Sequence, residues 1–110
     1  MKNLSEMHKK ADARGWIPPE GTQPYIVCAA NRARGIIFCG SRHFSNAMTS
    51  QMKAVGLSQK EMARAEQGFI DQFDRFWSRE EALAIMKQTG QHIRYEDEWG
   101  MTELFSENLY

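Results

Sequence analysis

The sequence predicts an α+β domain: a small, mainly antiparallel sheet with two or three helices packed on one face, preceded by a helical arm. Three observations carry this. Two apolar runs of strand length, Tyr25–Ala30 and Gly35–Cys39, are separated by the polar stretch Asn31–Arg34, which is the pattern of a hairpin. Residues 79–89 show helical apolar spacing at Ala82, Leu83, Ile85 and Met86, with a capping box of Ser78 and Glu81 before them and Gly90 after them. Between these segments, Gly68–Trp77 reads as a second hairpin turning around Gln72 to Asp74.

Taken in order, residues 1–14 carry Leu4, Met7 and Ala11 at helical spacing among charged neighbours, a short amphipathic helix. Gly15 to Gly21, with Pro18 and Pro19, breaks it, because proline lacks an amide donor and restricts the residue before it. Residues 1–23 therefore form an arm that packs through Trp16 and Ile17 on the domain or on a neighbouring subunit. The domain proper spans residues 24–110. Its first two strands are continuously apolar, which predicts cover on both faces and central places in the sheet. Gly35 supplies the positive φ of the first turn. Ser45 or Asn46 can cap a helix over residues 46–55 that Gly56 stops, and Ser58 with Glu61 opens a second short helix. Gln91–Tyr95 reads as a last strand, Glu96–Asp97–Glu98 as an acidic turn, and Leu104–Tyr110 as a docked tail.

The chain's 110 residues suffice for one core but not two. Its 14 basic and 14 acidic residues cancel, which disfavours a broad basic face for duplex nucleic acid and removes one defence against self-association. A homo-oligomer is expected. No apolar run is long enough to span a membrane, and the N-terminus lacks the apolar core of a secretory signal, so the expected location is the cytoplasm. Cys28 and Cys39 lie roughly opposite each other if residues 25–39 form a hairpin. Two buried thiols are the preferred reading over a bridge, and no histidine spacing matches them for zinc.

The best polar cluster is the corner Gly40-Ser41-Arg42-His43, where a strand ends just before a helix begins. Free amides at a helix start favour an anion, and arginine adds a bidentate fork for phosphate. The alternative is that Arg42 pairs with a carboxylate and His43 packs. Asn31, Arg32 and Arg34 form a second group at the first hairpin tip, with a solvated turn as the plainer reading. Arg94 beside Tyr95 could grip a nucleotide or pair with Glu96 or Asp97. Phe69, Phe73, Phe76 and Trp77 could stack on bases or fill the core. Catalytic patterns are weak: Ser41 and His43 lack an orienting acid, and there is no phosphate-binding glycine loop, metalloprotease motif or paired CxxC. The expectation is a binding protein without catalytic residues, metal or cofactor.

With those residues in view, the runs "YIVCAANRARGIIFCGSRHF", "EQGFIDQFDRFWSREEALAIMKQTGQ" and "LFSENLY" resemble a set of small bacteriophage proteins. The resemblance covers most of residues 25–110 and leaves out the arm. The sequence also looks like the phage Thoeris anti-defence sponges, which capture cyclic ADP-ribose-type immune signals without cleaving them; some members also hold cyclic oligonucleotides at separate sites. That likeness implies a small nucleotide ligand, with Arg42 and Arg94 on phosphate, an aromatic near Phe69 on the base, and a site built between subunits. Ser41, His43, Asn31 and Arg32 complete the expected ligand contacts. The competing expectation is an interaction protein that blocks a host enzyme by direct contact.

Overall fold

The computed structural model describes residues 4–96 and 100–110. In chain order the elements are α1 (Leu4–His8), β1 (Ile26–Ala33), β2 (Ile36–Gly40), α2 (Asn46–Ala54), α3 (Gln59–Ala63), β3 (Glu66–Asp71), β4 (Phe76–Ser78) and α4 (Arg79–Thr89). A short 3-10 turn, Ser106–Asn108, follows. The four strands form one antiparallel sheet in the order β2-β1-β3-β4. Helices α2 and α4 cover one face, so the α+β class read from the sequence is the class observed. The shortest dimension, 20 Å, is that of one sheet with one helical layer.

Side-chain alternation divides the sheet into two unlike faces. Ala29, Ala33, Phe38, Phe69 and Trp77 point into the main core with Met48, Met52, Ile85 and Met86 from the helices. Ala30, Ile70 and Phe76 form a smaller cluster on the other face, joined by Cys28, Ile37 and Cys39. A bulge between Ile26 and Cys28 lets Ile26 and Ala29, three residues apart, both enter the main core. Gly68 is demanded by that second cluster: a Cβ there would lie 2.6 Å from the Phe76 ring.

The local signals behave as their chemistry requires. Arg34 and Gly35 take φ of 52° and 71°, giving a two-residue turn between Ala33 and Ile36. Ser45 caps α2, while Ser58 and Ser78 form capping boxes with Glu61 and Glu81. Gly90 closes α4 at φ 78°.

Three expectations are corrected. No strand forms over Gln91–Tyr95; Ile93 is buried, but the backbone there bonds to the tail, Arg94 N–H donating to the Asn108 carbonyl at 2.8 Å. Of the acidic turn expected next, Asp97 and Glu98 lie outside the described residues. The first helix stops at His8 rather than continuing to residue 14, because Asp12 takes the Arg14 and Trp16 amides into a tight side-chain turn. The arm docks through Met7, 2% exposed, and through Trp16, whose ring packs on Phe73 of the domain at 5.7 Å, while Ile17 is 50% exposed. Finally, β1 is central but β2 is an edge strand.

Glutamine side chains complete the sheet's loose ends. The Gln51 amide from α2 bonds both backbone groups of Cys39 on the open edge of β2. Gln91 does the same for Ile26 beside the bulge. Gln72 accepts from the Tyr25 amide and donates to the Gln23 carbonyl. A primary amide offers one acceptor and two donors, so it satisfies strand backbone as another strand would.

Candidate functional site

The strand–helix corner is built by close approach. A Cβ at Gly40 would press on the Ser45 hydroxyl and lie 3.3 Å from the Arg42 carbonyl oxygen, so a larger residue there would have to displace the Ser45 side chain that caps α2. The Ser45 amide then closes the turn on that carbonyl at 3.2 Å. Phe44 is held at φ 58°, a conformation that costs an L-residue about 1–2 kcal/mol.

The corner's side chains diverge. Ser41 is exposed. Arg42 turns to the C-terminal tail and donates to the main-chain oxygens of Ser41, Ser106 and Tyr110. His43 points onto the helix-covered face: its Nε2 lies 2.8 Å from the Gly68 carbonyl oxygen and its ring meets Phe69 edge-on at 5.2 Å. Burial is the main cause holding this imidazole below its ordinary 6.5. The Gly68 carbonyl and Glu107 oppose that effect, and the Arg79 charge adds to it. His43 is therefore neutral at pH 7.

Asn31 sits in β1 rather than at the hairpin tip, because the strand runs on to Ala33 and only Arg34 and Gly35 turn. It is fully buried, and neither its Oδ1 nor its Nδ2 has a hydrogen-bond partner among the described residues. By strand alternation it shares the helix-covered face with its register partner Gln67. Gln67 accepts from Arg79 Nη2 at 2.5 Å, and the buried Arg79 Nε is also unpartnered. The Arg79 guanidinium lies 5.1 Å from the Phe105 ring of the tail. An amide, a guanidinium with a spare donor and a neutral imidazole thus gather around Phe69 and Gln67. Sequence reasoning missed Gln67 and Arg79, since neither stands out until the β1–β3 register places them beside Asn31.

The remaining expected site residues stand elsewhere. Arg32 is on the opposite face, paired with Glu66 at 2.6 Å and stacked 4.4 Å over Phe76. Phe69 is fully buried and presents no free face for stacking. Arg94 donates to the Tyr95 hydroxyl at 3.0 Å, and its backbone is tied to Asn108. Arg42 and Arg94 consequently meet the same tail, one by its guanidinium and the other by its main chain. Arg34 is bidentate to Glu61, with its Nη2 at 2.6 Å; that arginine holds the Glu61 carboxyl down at about 2. Among the described residues, no group of three or more potential metal ligands gathers.

The family model for the phage T4 y16D protein matches residues 25–110. The chain belongs to that phage protein family. The match begins at the residue before β1 and includes Asn31, the corner, Gln67, Arg79 and the tail. No curated protein and no solved structure matches the chain. Among the described residues, no helix is long and apolar enough to cross a membrane.

Proposed function

We propose that this phage protein binds and sequesters a small nucleotide signal, of the cyclic nucleotide or cyclic ADP-ribose type, without cleaving it. The observation that carries the reading is the fully buried amide of Asn31, which has no partner among the described residues. A buried amide with no partner costs about 1–3 kcal/mol; Asn31 is fully buried like Phe69, so a ligand that offers a donor and an acceptor removes that cost only as the fold opens to admit it. A base edge or a ribose has that chemistry. Arg79 and Arg42 supply the positive charge a phosphate needs, and neutral His43 can exchange donor and acceptor roles without adding a buried charge.

Sequestration needs a small dissociation constant and slow release, which charge-assisted hydrogen bonds favour. It needs no nucleophile or general base. The host cytoplasm is the location where such a signal is met, and completion of the site by a second copy fits the balanced charge.

The test is calorimetry with cyclic dinucleotides and cyclic ADP-ribose, followed by filtration, heating of the retained protein and mass analysis of what is released. Recovery of unchanged ligand, with binding weakened about tenfold or more by Asn31→Val, supports the proposal. Recovery of a converted product rejects sequestration, and no retention of any ligand rejects the nucleotide reading.

A second reading, inhibition of a host enzyme by direct contact, is favoured by one surface. Trp16, Ile17 and Tyr25 are 44%, 50% and 57% exposed, and Trp16 leans on Phe73 of the β3–β4 turn at 5.7 Å. Capture of a host enzyme that survives Asn31→Val but fails with Trp16→Ala selects this reading.

A further inference from the structure

The sheet face that α2 and α4 leave uncovered carries the chain's two cysteines. Cys28 on β1 and Cys39 on β2 lie on this same face and pack against one cluster of Ala30, Ile70 and Phe76. The strands are adjacent, and Cys39 is the register partner of Ala30, two residues from Cys28. The cysteines are diagonal neighbours at the end of the ladder, about 7–8 Å apart in backbone position with their side chains on one face. Both are half-buried, so a small reagent can approach them, and both are free thiols. The site is distinct from the Asn31 cluster, which points to the other face.

We propose that Cys28 and Cys39 are a redox-active dithiol that closes reversibly into a disulfide by exchange with low-molecular-weight disulfides. Cys28 is the attacking group. The neighbouring Cys39 thiol holds the Cys28 thiol down at about 7, helped by the Gly40 amide and opposed by burial. The same contact pushes Cys39 up, which suits it to act second. The Cys28 thiolate attacks one sulfur of the small disulfide, breaking its S–S bond and expelling one thiolate, which takes up a proton. Cys39 then loses its proton to solvent and attacks the Cys28 sulfur of the mixed disulfide, expelling the second thiolate. Two protein thiols are oxidised by two electrons and one small disulfide is reduced to two thiols.

Closure links β1 to β2 one residue before Gly40, so the bond's mechanical effect falls on the edge strand where the corner begins. The strands are paired from Ala29 to Ala33, and Cys28 stands just past that ladder beside the bulge, so closure draws this end of β1 toward Cys39.

The experiment equilibrates the full chain in buffers of graded glutathione disulfide-to-glutathione ratio, blocks remaining thiols with N-ethylmaleimide and reads the intact mass. The expected result is a two-state conversion from a doubly blocked chain to an unblocked monomer lighter by two hydrogens. Cys39→Ser should accumulate a stable glutathione adduct at Cys28. Cys28→Ser should be unable to form the intramolecular bridge and should end as a chain still carrying one thiol or one glutathione adduct. A wild-type chain that stays doubly blocked, retains glutathione at both positions, or forms only covalent dimers overturns the proposal. The wild-type measurement decides this even if a serine variant folds poorly.

Discussion

Asn31 is a turn-forming residue type in the middle of a central strand, and its buried amide has no partner among the described residues. Asn31→Val is expected to raise unfolding free energy by about 1–2 kcal/mol, since it removes an unsatisfied polar group and adds a strand-favouring side chain. Urea denaturation measures this; a loss of stability would mean the amide is already satisfied in the free protein. Opposite signs for stability and ligand affinity would separate a functional residue from a packing one. His43 carries a second test. Its folded-state value is below 6.5, so the unfolded chain takes up the proton first as pH falls. The stability this group contributes is full above 6.5 and is lost as pH drops through the folded value. The stability difference between wild type and His43→Gln should therefore shrink from pH 7.5 to pH 5. An unchanged difference would place the titration elsewhere.

At the level of elements, the parts legible in the sequence are those fixed by chemistry within one turn or one hairpin. Ser78, Glu81 and Gly90 bound α4 because capping is satisfied by neighbours three residues away. Ser78→Ala is expected to cost about 1 kcal/mol, measurable as a lower denaturation midpoint with an unchanged denaturant slope; no shift would mean that tertiary packing alone ends the helix. What the sequence concealed depends on distant partners. The run Gln91–Tyr95 has strand composition, yet the Gln91 amide binds Ile26 and the Arg94 backbone binds Asn108. Its hydrogen bonds are taken before a ladder could form. The apolar run of β2 suggested a central strand, whereas a glutamine eleven residues past its end closes its edge. The corner was visible as a polar cluster, but the register that gathers Asn31, Gln67 and Arg79 was not.

For the molecule as a whole, one buried ion pair decides whether the arm belongs to the domain. Arg75 and Asp71 have fully buried side chains and meet at 2.7 Å. Asp71 also accepts from Trp77 Nε1 at 2.9 Å and from the Phe73 amide at 2.8 Å. Arg75 Nη1 then reaches the carbonyl oxygens of His8 and Lys10 at 2.9 and 3.1 Å, while the Lys10 ammonium sits 4.5 Å from the Trp77 ring. A guanidinium can serve a carboxylate and two carbonyls together because its donors are spread around a rigid plane; an ammonium cannot. Arg75→Met leaves the Asp71 charge buried without its cation and is expected to cost about 3–5 kcal/mol. Arg75→Lys keeps a cation beside Asp71 and should cost less, yet it loses the carbonyl bonds to the arm. Both variants should be cut faster by trypsin after Lys9, Lys10 or Arg14, with later cleavage of the domain itself only in Arg75→Met. If Arg75→Lys is cut at the wild-type rate, burial of Met7 alone holds the arm, and the guanidinium serves only the sheet.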